Sequence, residues 1–117
     1  VWPHSYCCVL VIRNEFLETY PEVANQFMEN YVTAGKEANE KNEQLYEALQ
    51  LFMNVEDEVL DLSLEWISFE PLRIEKAEYE KVREKVQQLK LMEHPPTYDE
   101  FVENSLIDRA SEDDRIK

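Results

Sequence analysis

Few residues in this chain could carry chemistry at neutral pH. Two histidines, His4 and His94, and two adjacent cysteines, Cys7 and Cys8, are the only residues of those types in 117 residues, and His4, Cys7 and Cys8 form the only cluster of soft ligands. His4, Cys7 and Cys8 stand together, but neighbouring side chains in an extended segment point to opposite faces, so the two thiols do not easily share one metal. No fourth ligand stands nearby. A nucleophilic cysteine needs a histidine partner and an oxyanion site, and neither histidine belongs to a motif that would orient it for that task. The residues predict buried small hydrophobes at Cys7 and Cys8, with a vicinal disulfide or a thiol lining a ligand cleft as the alternatives. A bridge between neighbours closes almost no loop and stabilises little.

Carboxylates are plentiful, with 26 Asp and Glu against 12 Lys and Arg and a net charge of −14. Their abundance weakens each as a catalytic candidate. Glu56-Asp57-Glu58, Glu78-Tyr79-Glu80 and Glu112-Asp113-Asp114 read most simply as solvated helix faces and a tail. A single glycine excludes phosphate-cradling loops and dinucleotide fingerprints, and no twelve-residue calcium loop is present. The acidic surface repels phosphate backbones and anionic lipid heads, which argues against nucleic-acid partners. These residues point to no enzyme, no metal and no cofactor. Among the aromatics, Tyr6, Trp66 and Phe69 are the candidates for ligand contact, against core packing as the simpler role.

The elements that would position these residues are mostly helical. The exception is Cys7-Cys8-Val9-Leu10-Val11-Ile12, an apolar, β-branched run that predicts a strand near 7–12 buried on both faces. A first helical turn over Asn14 to Thr19 is followed by Pro21 at the first position of a helix reaching Glu40. On that helix Val23, Phe27, Tyr31, Ala34 and Ala38 form a stripe that Ala24, Met28 and Val32 widen. Gly35 inside it costs about 1 kcal/mol against alanine unless another element packs closely there.

A second long helix from Asn42 to Met53 is expected to bury Leu45, Leu49, Phe52 and Met53. A third, capped by Asn54, is expected to bury Val59, Leu60 and Leu62 before Trp66. Ile67-Ser68-Phe69 alternates and stops at Glu70-Pro71, predicting a short strand near 67–69. A helix near Glu75 to Leu91 carries Tyr79, Val82, Val86 and Leu89. Thr97 and Glu100 have capping-box spacing for a short helix through Asn104. Two segments follow from this reading: 1–110, and a charged, frayed tail over 111–117. No apolar run approaches the length needed to span a bilayer. The abrupt opening at Val1-Trp2-Pro3 leads us to expect a fragment or processed product.

Three stretches, in order, resemble the end of a periplasmic solute-binding protein of the nitrate, sulfonate, bicarbonate and thiamine-precursor type. The first runs from His4-Ser5-Tyr6-Cys7-Cys8-Val9-Leu10-Val11-Ile12 through Pro21-Glu22-Val23. The second is Trp66-Ile67-Ser68-Phe69-Glu70-Pro71-Leu72-Arg73-Ile74. The third spans Leu91 to Ile107, with Tyr98-Asp99-Glu100-Phe101-Val102 and Asn104-Ser105-Leu106-Ile107-Asp108. The resemblance implies an α/β fold, in which this chain is the predominantly helical C-terminal fragment of a bilobal periplasmic-binding-protein architecture.

It also implies an extracytoplasmic protein that captures a small organic or anionic solute for an ABC permease. The remainder of the same polypeptide would then be a partner, and the isolated fragment would be prone to self-association. Tyr6, Cys7, Cys8, Trp66 and Phe69 fall on the segments that would face the cleft or hinge. Two other readings compete with this one. Thiamine-pyrimidine synthases share the fold but need a cysteine-rich metal stretch, and an acidic helical interaction module would be unrelated to transport.

Overall fold

The computed structural model describes Tyr6 and residues 8–116, with side-chain surroundings given as far as Glu112. The described residues form seven helices: α1 Asn14–Thr19, α2 Pro21–Asn39, α3 Glu43–Phe52, α4 Asp57–Trp66, α5 Lys76–Gln88, α6 Tyr98–Phe101 and α7 Ser105–Ile116. No strand or sheet occurs among the described residues, and none of their helices is long and apolar enough to cross a membrane.

The expected α/β class is therefore corrected to an all-helical one. Cys7 lies outside the described residues, and residues 8–12 are irregular, with Val9 and Val11 45% and 79% exposed. A strand needs a neighbour to receive its backbone hydrogen bonds, and no described segment runs beside this one in a ladder. The second expected strand is irregular for a different reason. The Phe69 N–H is taken by the Asn39 side chain at 3.1 Å, and the Ser68 hydroxyl hydrogen-bonds the Glu70 carbonyl at 2.6 Å, so this stretch is a side-chain-held turn.

The break between α1 and α2 follows from proline. Tyr20, immediately before Pro21, takes φ −130° and ψ 57°, because the proline ring disfavours helical geometry in the residue before it. Pro21 then opens α2, where its missing N–H costs nothing. The core forms where α2 meets α7: Met28 and Val32 pack with Ile107 and Ala110, bordered by Ile12, Tyr31, Leu72 and Leu106. The buried stripe of α2 is Ala24, Met28, Val32 and Gly35, while Val23 and Phe27 stay half-exposed. The inward face is thus the one expected only to widen the stripe, and Val23 and Phe27 are left for a second surface.

No residue of α3 is buried among the described residues, and Leu51 and Phe52 are 82% and 86% exposed. On α4, Leu60 and Leu64 are buried, whereas Val59 and Leu62, also expected inside, are half-exposed. The cap of α4 is Glu56, not Asn54, and Asn42 caps α3 by accepting from the Leu45 N–H at 3.1 Å. Helix α5 ends with Lys90 at φ 54°, with Leu91 N–H bonded to the Val86 carbonyl and Lys90 N–H to that of Gln87. That pair of bonds is the Schellman closure, made here by a lysine where glycine is usual. Beyond α6, the chain expected to end in a charged tail forms α7, which carries regular helix as far as Ile116.

Candidate functional site

The segment from Ile67 to Glu75 joins α4 to α5 and collects side-chain contacts from both ends of the chain. Asn39, at the end of α2, accepts from the Phe69 N–H at 3.1 Å and the Ser68 hydroxyl at 3.4 Å. The Tyr6 hydroxyl donates to the Arg73 carbonyl at 3.4 Å and accepts from the Glu75 N–H at 2.8 Å. From α6, the Tyr98 hydroxyl donates to the Ile74 carbonyl at 2.7 Å and accepts from the Asn104 amide. From α7, Asp108 takes the Arg73 guanidinium at 2.8 Å, and Glu75 takes a second arm of it at 3.3 Å. These bonds to Asp108, with its charge, hold the guanidinium above its ordinary pKa.

Gly35 makes the close seating of this segment on α2 possible. A Cβ built there would lie 2.5 Å from Leu72 Cδ1, 3.2 Å from its Cγ and 3.1 Å from the Phe69 carbonyl oxygen. The close packing that would justify a glycine within a helix is present, and its partner is this connecting segment.

Two concavities stand out among the described residues. One, of about 460 Å³, lies between α2, α7 and the connecting segment, and its wall includes Lys36, Arg73, Glu75 and Asp108. The Arg73 donors in it are already directed at Asp108 and Glu75. The other, of about 350 Å³, is apolar, formed by Leu10, Val11 and Ile12 with Phe16, Val23 and Phe27 of α1 and α2.

Of the five residues singled out in the sequence, the four that are described do not meet in either concavity. Tyr6 is half-buried with its hydroxyl spent on the connecting segment. Cys7 lies outside the described residues. Cys8 is exposed, Trp66 ends α4 at 77% exposure, and Phe69 is half-buried beside Gly35. Tyr6 and Phe69 do share the connecting segment, at opposite ends of it.

Asn39, Arg73, Tyr98 and Asp108 were not singled out in the sequence, although they decide how that segment is held. Their signal was faint. Arg73 is the first basic residue after Lys41, in an otherwise acidic stretch.

The remaining perturbed groups are structural. Two hydrogen bonds from Thr97, backbone and hydroxyl, hold the Glu100 carboxyl below its ordinary range, completing the capping box of α6. Bonds from Ser105 do the same for Glu103 at the start of α7. The Tyr46 hydroxyl is raised by its hydrogen bond to Asp61. Desolvation raises that of Tyr79, which packs between Tyr98 and Phe101 and donates to the Pro96 carbonyl at 2.8 Å. Among the described residues no group of histidine, cysteine and carboxylate side chains is gathered as a metal site would need.

No family model matches the chain, and neither the curated proteins nor the solved structures contain a significant match to it.

Proposed function

We propose that this chain is part of an extracytoplasmic solute-binding protein, which captures a small organic or anionic solute and delivers it to an ABC-type importer. The observation that carries the reading is the open apolar groove. Its wall is made largely by Leu10, Val11, Ile12, Phe16 and Val23, which belong to the first stretch resembling such proteins. A groove of this kind calls for further polypeptide to cover it.

Compactness supports the same view. A self-contained domain of this length has a radius of gyration near 13 Å, against 16.6 Å here. The buried hydrophobic side chains among the described residues are confined to α2, α4 and α7. In this reading the chain is one wall of a larger body, and the remainder of the polypeptide is its first partner. Solute would be held by aromatic and polar contacts without bond making, with Trp66 the most exposed of the candidate aromatics.

The test is a thermal-shift and calorimetric screen of the gene's complete product against sulfonates, nitrate, bicarbonate and pyrimidine compounds. One of them at a hundredfold excess over its dissociation constant should add about 2.7 kcal/mol of stability, while the isolated chain should respond weakly or not at all. If no compound stabilises the complete product, the reading fails. The all-helical architecture favours a second reading, an acidic helical interaction module, which expects the isolated chain to be a monodisperse monomer indifferent to every solute.

A further inference from the structure

Helices α3 and α4 form a hairpin. Tyr46 donates its hydroxyl hydrogen to Asp61, and Gln50 donates its amide to Asp57 at 3.0 Å, so the helices run antiparallel with their connection at one end. At that end Leu51, Phe52, Met53, Val55 and Val59 are all exposed, Leu51 and Phe52 almost completely. Leaving two such side chains in water forgoes the free energy that a buried position would return, and nothing among the described residues covers them.

The charge around the tip is of one sign. From Asn42 to Leu72 the chain has eight carboxylates and no lysine or arginine. Three of them, Glu56, Asp57 and Glu58, stand at the tip itself, at the start of α4. Two copies joined through this tip would bring those carboxylates together without a cation to offset them, and an anionic lipid surface would be repelled in the same way.

We propose that the α3–α4 tip is a docking site for a separate protein surface that is apolar at its centre and rimmed by lysine or arginine. Leu51 and Phe52 enter the apolar centre, and Glu56, Asp57 and Glu58 meet the rim. The proposal uses neither the apolar groove nor any bound solute, so it stands or falls apart from the solute-binding reading.

The probe is a labelled amphipathic helical peptide of leucine and lysine, with two controls: the same peptide carrying glutamate for lysine, and one carrying serine for leucine. Fluorescence anisotropy follows binding to the gene's complete product at two ionic strengths. The leucine–lysine peptide should bind saturably, more weakly at the higher salt, and neither control should compete. The double variant Leu51→Ser, Phe52→Ser keeps every charge and should weaken binding about tenfold or more with its helical circular dichroism unchanged.

Equal binding by the serine–lysine peptide, or unchanged affinity in the double variant, would reduce the effect to bulk charge and overturn the proposal. So would a concentration-dependent dimer that the double variant abolishes, since a second copy would then occupy the tip. A large loss of thermal stability in the double variant would also overturn it, by showing that the tip is already covered from within.

Discussion

Replacing Gly35 with alanine sets two opposing terms against each other on α2. Removing a mid-helix glycine should gain about 1 kcal/mol from helix propensity. The new methyl, however, would sit 2.5 Å from Leu72 Cδ1 and 3.1 Å from the Phe69 carbonyl oxygen, where carbon contacts are normally about 3.5–4.0 Å. Leu72 Cδ1 can swing away. Its Cγ at 3.2 Å and the Phe69 carbonyl can retreat only if the connecting segment lifts, and Asn39, Tyr6, Tyr98 and Asp108 restrain it. Overpacking of this kind costs about 1–3 kcal/mol. The net expectation is a loss of about 1 kcal/mol, or roughly 4 °C in the unfolding midpoint for a chain of this length.

Circular dichroism at the helix band, followed through thermal and urea unfolding, measures the change. Repeating the substitution in a Leu72→Ala background removes the Cδ1 and Cγ contacts, and the loss should shrink or turn into a small gain. A Gly35→Ala chain stabilised by about 1 kcal/mol with Leu72 intact would refute the argument, because it would mean that the connecting segment does not rest on α2.

Asn39→Ala should cost about 1 kcal/mol by leaving the Phe69 N–H without its acceptor, and hydrogen exchange at that amide should accelerate while the α2–α7 core stays protected. Lys90→Gly should stabilise by up to about 1 kcal/mol, since Lys90 holds φ 54° in the Schellman closure of α5, and urea unfolding reads the gain directly. The Glu100 carboxyl is lowered in the folded chain by its bonds from Thr97. Its contribution is therefore complete above the ordinary glutamate range and is lost as the pH falls below about 4.5. The stability difference between the native chain and Glu100→Gln should be largest near neutral pH and close on acidification; a difference that widens instead would contradict the capping geometry.

Much of the helical plan was legible because it depends on local chemistry. The sequence placed α1 over Asn14–Thr19 and started α2 at Pro21, as found, because proline fixes its own φ and restricts the residue before it. The Thr97–Glu100 capping box was readable for the same reason: spacing alone lets both partners reach. The need for a close neighbour at Gly35 was also readable, although the identity of that neighbour was not.

Tertiary structure decided the rest. Periodicity finds an apolar stripe but cannot say which edge of it turns inward, so Ala24, Met28 and Val32 became core while Val23 and Phe27 line an open groove. The run to Ile12 has the composition of a buried strand, but a strand is a property of two segments, and no described segment pairs with residues 8–12. Helix α7 was hidden by its charged residues. What makes it part of the fold is Ile107 and Ala110 meeting Met28 and Val32 from the other end of the chain. Composition and spacing thus determined where α1 and α2 begin, the capping box of α6 and how acidic the chain is, because those properties act over a few residues. Which faces are buried, and where the Ile67–Glu75 segment is pinned, was settled only when Asn39, Tyr6, Tyr98 and Asp108 came together from distant parts of the chain.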